Sequence, residues 1–379
     1  MAAAAVAPGG PDWLGTLAGR VQALGGPGLL RSYDLAGDAP FDRTHALCAY
    51  VYDNAAAGLA LIAGGQVELA RRIGDALVQA QGNDRYWHDG RFRNAYRAGP
   101  TPASGTYPLP GWWDAGASRW VEDAYQAGTA VGVVAWAMLL LAALHKATGD
   151  ARYGAAANKA GDWVGRVART SRGYAGGFLG FEPGPQAVGW VSTEHNIDLA
   201  VAFAQLGRTG DASHARDFVA AMWDAQAGRF FAGLRPDGAR NPLAAVDANI
   251  WPSLTPGAPA DWSRALDWTL AHQGVPAAAP DGVSFGDARD GIWLEGTAYV
   301  ALAAKRTKRT DLAQRMMETL RAQTSTGGLV WASSTDRLST GLSTGLTETD
   351  DFFYYRRPHV GATAWAALAQ AGVDPFTLG

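Results

Sequence analysis

"ALHKATGDARYG" (Ala143–Gly154) and, further along, "AQLGRTGDASHA" (Ala204–Ala215) read alike. In each, one helix closes at a glycine and the next opens at an aspartate: Gly149 then Asp150, Gly210 then Asp211. Glycine enters the left-handed conformation after a helix at no steric cost, and an aspartate carboxylate accepts hydrogen bonds from the free N–H groups of the next first turn. Both stretches are therefore helix hairpins.

Outward from these turns, apolar positions at helical spacing predict strongly apolar helices near 45–63, 120–146, 193–207, 245–256, 292–305 and 358–371. More charged, amphipathic helices alternate with them near 66–81, 151–168, 211–226, 261–273 and 310–323, and one near 11–24 completes the set. An inner helix is covered all round, whereas an outer one keeps a wet face. The expected fold is thus all-α: an (α/α)6 barrel of six helical hairpins, one domain over 1–379 with a flexible start at 1–10. The long connections (82–119, 169–192, 228–244, 274–291, 324–357) all precede apolar helices, so they crowd one face. Their Trp, Tyr, Gly and Pro content suits ordered walls around a cleft.

Composition narrows the partners. With 32 Lys+Arg against 35 Asp+Glu, the net charge of -3 gives no electrostatic pull toward nucleic acid. The run from Val131, "VGVVAWAMLLLAAL", falls short of a membrane span and contains Gly132, so it reads as a buried helix rather than an insertion into lipid. A lone cysteine, Cys48, forms no internal disulfide, and the seven histidines lack the close pairs of a metal site. No metal or cofactor is expected. "MAAAAVAPGG" resembles the end of an export signal but lacks its charged and apolar regions, so periplasmic or secreted and cytoplasmic readings both stand.

Every apolar helix opens with polar residues. The first carries Asp53 and Asn54; the second Glu122, Asp123 and Gln126; the third Glu194, His195, Asn196 and Asp198; the fourth Asp247 and Asn249; the fifth Glu295 and Thr297; the sixth Arg357 and His359. Capping accounts for an acid near a helix start, but Asp53 and Glu295 sit among apolar residues, where a charge costs several kcal/mol unless paired. One shared cleft explains why six helices bring polar groups to the same rim. Aromatic residues of the rim loops, among them Trp113, Trp251, Trp293 and Tyr355, could stack on the apolar faces of a pyranose.

The segments "YDNAAAGLALI", "STEHNIDLAVAF", "VDANIW", "WLEGTAYVALA" and "HVGATAWAALA" resemble the six-hairpin glycosidase superfamily, and within it a family of bacterial glycosyl hydrolases. The likeness runs from about Tyr33 to Phe376. It implies carbohydrate processing by acidic catalysts, commonly with inversion. Such chemistry needs two carboxyl groups across the glycosidic bond, one protonated by burial and one ionised. Glu295 is the expected acid and Asp53 the expected base, with Glu194 the substitute for either. His195, Asn196, Asp123, Asp247, Asn249 and His359 would hold the sugar or orient the catalysts. A polysaccharide lyase or sugar epimerase, using His195, His359, Arg356, Arg357 or Tyr355, is the alternative, as is a glycan-binding protein without turnover.

Overall fold

The computed structural model describes residues 10–35, 37–275, 281–343 and 351–379. The expected flexible start lies almost wholly outside the described residues, as do parts of the 274–291 and 324–357 connections.

The described residues form fourteen α-helices. The apolar set is α3 (Val51–Ala63), α6 (Val131–Thr148), α8 (Thr193–Gln205), α10 (Val246–Leu254), α12 (Leu294–Arg306) and α14 (Val360–Ala371). Each packs on the next, α14 closes back on α3, and these helices are buried on nearly every side. The amphipathic partners α4 (Val67–Gly82), α7 (Ala151–Val167), α9 (Thr209–Ala221), α11 (Arg264–Gln273) and α13 (Thr310–Ala322) each lie against the preceding apolar helix. The N-terminal α1 (Trp13–Ala23) packs along α14 and fills the sixth outer place. The apolar Val131–Thr148 helix is long enough on composition to cross a membrane, yet it sits in the inner layer with its residues buried. Gly58 on α3 lets α6 approach closely, since a Cβ there would meet the side chain of Leu140.

The turns follow the sequence with one change. Gly149 is left-handed (φ 72°) and the Asp150 side chain accepts from Arg152 N at 3.0 Å, as the "TGD" signature predicts. In the second hairpin it is Gly207, not Gly210, that takes the left-handed place (φ 72°). The α9 helix therefore starts at Thr209, and Asp211 lies inside its first turn, paired with Arg208 at 3.0 Å. Gly207, three residues before Gly210, ends α8 first.

Two apolar helices begin later than expected. Cys48–Tyr50 is a strand paired with Ala95–Arg97, so the first inner helix opens at Val51. The segment 120–130 holds the strand Arg119–Val121, the short helix α5 (Ala124–Ala127) and the strand Thr129–Ala130, which pairs with Gly177–Phe178. The all-α expectation thus omits short antiparallel pairings, which satisfy the backbone of the long connections where helical periodicity is missing. A further short helix, α2 (Pro40–His45), lies in the first connection. All these additions sit on the face where the inner helices begin.

Candidate active site

The inner helices enter from extended residues, and the same positions recur at each mouth. Counting from the residue before each helix, the second place holds Tyr52, Gly132, Glu194, Asp247, Glu295 and Gly361. The fourth place holds Asn54, Val134, Asn196, Asn249, Thr297 and Thr363. Residues two apart on a helix are rotated by about 200°, so these two sets face opposite ways.

The fourth-place side chains are braces. Asn54 accepts from Leu30 N at 2.7 Å and donates to Tyr50 O at 2.9 Å. Asn196 accepts from Tyr174 N at 2.9 Å and donates to Ser192 O at 2.8 Å; Asn249 does the same with Phe230 N at 2.9 Å and Ala245 O at 2.9 Å. Thr297 and Thr363 repeat the pattern with their hydroxyls, accepting from Val283 N and Val330 N. Each ties a helix mouth to the connection before it. Asn196 and Asn249, expected to meet a sugar, are therefore turned away from the cleft and fully buried as supports.

Five of the second-place set, Tyr52, Gly132, Glu194, Asp247 and Glu295, line one cavity of about 450 Å³ with Asp53, His195, Trp251, Trp293 and His359. Tyr33, Trp136, Trp190, Tyr299 and Tyr354 add aromatic wall. The sixth member, Gly361, is buried outside the lining and lets the carboxyls of Asp53 and Glu295 close over it. A methyl group on Gly361 would fall 2.6 Å from Asp53 Oδ1 and 3.2 Å from Glu295 Oε2. Those two oxygens are consequently no more than about 5.8 Å apart, the sum of these distances.

His359 joins them. Its Nδ1 accepts from Ala362 N at 3.3 Å, which leaves Nε2 to donate to Asp53 Oδ2 at 3.1 Å. Glu295 Oε2 lies 3.7 Å from Nδ1, and Tyr33 stacks on the ring at 4.4 Å. Burial opposes a charge on His359, but Asp53 and Glu295 outweigh it and raise its pKa. On Glu295, Oε1 accepts from both the Tyr52 and the Tyr299 hydroxyls, while Oε2 has no hydrogen-bond partner. Tyr52 in turn accepts from Trp365 Nε1 at 2.8 Å. Burial holds the Glu295 pKa up against the pull of His359, and the nearby Asp53 adds to the rise.

The same cavity holds a second acidic group. Glu194 keeps part of its surface open and makes no hydrogen bond through its carboxyl among the described residues. Burial first, then Asp247, Asp198 and Glu295, push its pKa well above the carboxylate range. Asp247 accepts from Ala248 N at 2.5 Å, yet burial lifts it to about 7. Asp198, one turn beneath Glu194 and outside the cavity lining, is fully buried with both oxygens unpartnered; the Trp136 indole N–H points toward it without reaching hydrogen-bond geometry. His195 lines the wall beside Trp190, and burial lowers its pKa to about 4, so its ring is neutral near pH 7.

Three further expectations are corrected. Asp123 caps α5, accepting from Gln126 N at 2.9 Å, because the inner helix starts eight residues later. Trp113 stands on a hairpin outside the cavity, 62% exposed. Tyr355 packs on Phe41 at 4.5 Å, and its neighbour Tyr354 lines the cavity instead, since successive residues of an extended segment face opposite sides. The cations once placed at the site are engaged elsewhere: Arg357 with Asp42 at 2.7 Å, and Arg356 over Trp331. Of the two phenols on Glu295, only Tyr299, one helical turn after it, is signalled by spacing in the sequence; Tyr52 reaches it from another helix, which local sequence does not show.

No family model matches the chain, and no curated protein matches it. Solved structures do, over nearly the whole length, among them glycosidases, cellobiose 2-epimerases and a polysaccharide lyase. A glycosidase variant in complex with glucose shares 12% identity over 96% of this chain and 98% of its own, with a TM-score of 0.60. The cellobiose 2-epimerase of Spirochaeta thermophila shares 14% over 94% and 96%, at a TM-score of 0.59. A polysaccharide lyase shares 10% over 95% of each chain, at 0.53. At such identities the likeness is one of fold.

Proposed function

We propose that this chain is a glycoside hydrolase on an (α/α)6 barrel, cleaving an oligosaccharide with Glu194 as general acid and Asp53 as general base. The observation that carries the reading is the contrast between these two carboxyls in one cavity. Glu194 is reachable, unpartnered and kept protonated by burial among other acids. Asp53 lines the same cavity, and its Oδ2 accepts from the Nε2–H of His359, which fixes the orientation of the carboxyl.

This assignment moves the acid from Glu295 to Glu194. Glu295 is only 1% exposed and its Oε1 is fixed by two phenols, and its Oε2 lies within about 5.8 Å of Asp53, short of the gap an inverting pair needs. A gap of about 6.5–9.5 Å between working carboxyls goes with inversion, about 5 Å with retention. The anomer released tells which gap the Asp53–Glu194 pair works across. The aromatic walls of Trp190, Trp251, Trp293 and Tyr354 would seat the sugar rings.

The other readings fit less well. A lyase acting on an acidic sugar would draw on Arg235, the arginine of the cavity lining, since Arg356 and Arg357 are engaged elsewhere. An epimerase wants a free basic imidazole, whereas both nitrogens of His359 are engaged and His195 is a weak base. Reducing-end release from a panel of disaccharides and short oligosaccharides tests the proposal, with product anomers read by NMR. Glu194→Gln and Asp53→Asn are each expected to lower kcat by about 10²–10⁴-fold. Full turnover in Glu194→Gln returns the acid to Glu295; C2 deuterium exchange without bond cleavage establishes the epimerase instead.

A further inference from the structure

Beside the cavity lies a surface that the proposed chemistry does not use. The hairpin Trp112–Asp114/Arg119–Val121 pairs Trp113 directly with Trp120, so both rings project from the same face, 62% and 46% exposed. Trp120 is seated in advance: a methyl group on Gly111 would lie 2.5 Å from its Nε1, so only glycine lets the indole rest against the backbone. The cavity wall uses the same device, where the Trp190 ring lies on Gly176.

Hydrogen-bonding groups border the two rings. Glu122, just past the hairpin, accepts from Arg85 through two bonds of 2.7 Å, and Arg85 also binds Glu182. Tyr86 and Phe181, the chain neighbours of Arg85 and Glu182, are 47% and 42% exposed. This surface is continuous with the cavity mouth. Leu179, a lining residue, comes two positions before Phe181, and Tyr125, another, three after Glu122; Gly180 N donates to Ala124 O at 3.2 Å and holds the two segments together.

We propose that Trp113 and Trp120 form an outer saccharide platform, which takes the part of a glycan chain that extends from the cavity. The inference deepens the glycan reading of the cavity and rests on it for the identity of the ligand. Flat indoles fixed in position match the apolar faces of pyranose rings, and the Arg85–Glu122–Glu182 cluster offers donors and acceptors to the hydroxyl belt. The substrate class this implies is a chain longer than the cavity holds.

Affinity gel electrophoresis in soluble starch, xylan, pectin, carboxymethyl cellulose and alginate tests the platform without requiring turnover, so it fails independently of the hydrolase assignment. The wild type and Glu194→Gln are expected to be retarded by at least one polymer. Trp113→Ala/Trp120→Ala should weaken that retardation by tenfold or more, with unchanged near-ultraviolet circular dichroism and unchanged cleavage of an aryl monoglycoside. Retardation by none of the polymers, or equal retardation of the double variant, overturns the proposal. So does a wild-type dimer in sedimentation velocity that the double variant dissociates, which makes the two rings an interface between copies.

Discussion

Replacing Asp247 with asparagine should stabilise this protein, and by an amount that depends on pH. Asp247 is 5% exposed, and its pKa stands at about 7 instead of 3.8, mainly because burial penalises its charge. A rise of roughly three units corresponds to about 4 kcal/mol at about 1.4 kcal/mol per unit. Well below pH 4 the side chain is protonated in both the folded and unfolded chain and makes no difference. Between about pH 4 and 7 the unfolded chain releases the proton while the folded one holds it, so wild-type stability falls with each step upward and the full penalty is reached above pH 7. Asparagine retains an oxygen for the Ala248 N–H and removes the charge. Urea melts from pH 4 to 8 should therefore show a difference near zero at the acid end, growing to a few kcal/mol, with about 4 as the ceiling. The same change lowers the pKa of Glu194, which owes part of its rise to Asp247, so any activity should lose its alkaline limb at lower pH. A variant whose advantage is flat across pH, or a wild type that is the more stable at pH 7.5, refutes the reasoning.

Gly361→Ala places a methyl group 2.6 Å from Asp53 Oδ1 and 2.9 Å from His359 Cε1, so the pair must move. Turnover should fall by about 10²-fold or more, as a misplacement of about 1 Å does, with about 1–3 kcal/mol of stability lost to overpacking, and a variant of wild-type kcat would show that the gap is not used. Asn196→Ala strips buried hydrogen bonds from a brace, so unfolding free energy should drop by about 2–4 kcal/mol in denaturant titration, with the kcat of folded molecules within a few fold of wild type.

Much of this arrangement is legible in the chain itself. The alternation of apolar and amphipathic segments gives all twelve ring helices to within a few residues, except where α3 and α6 start late. The loop-rich face follows from where the long connections fall. Glu194, Asp247, Glu295, Asp53 and His359 stand out as polar groups at apolar helix mouths, and they do share one cavity. Asn196 and Asn249 look equivalent to them in a list of mouth residues. The spacing carries a signal that separates them: a polar or brace residue two positions after Tyr52, Glu194, Asp247, Glu295 and Gly361, repeated in five of the six helices.

The sequence by itself determined the helical pairs, the side on which the acids gather and the residue types available there, because burial imposes periodicity on a helix and charge at its mouth requires a reason. Only the tertiary structure decided which acid is reachable and which is fixed. Whether Glu295 meets Tyr52 and Tyr299, whether Asp53 meets His359 and whether Glu194 is left unpartnered depend on how α3, α8, α12 and α14 are rotated about their axes when the ring closes. That rotation is set by packing between residues hundreds of positions apart, and local sequence carries no record of it.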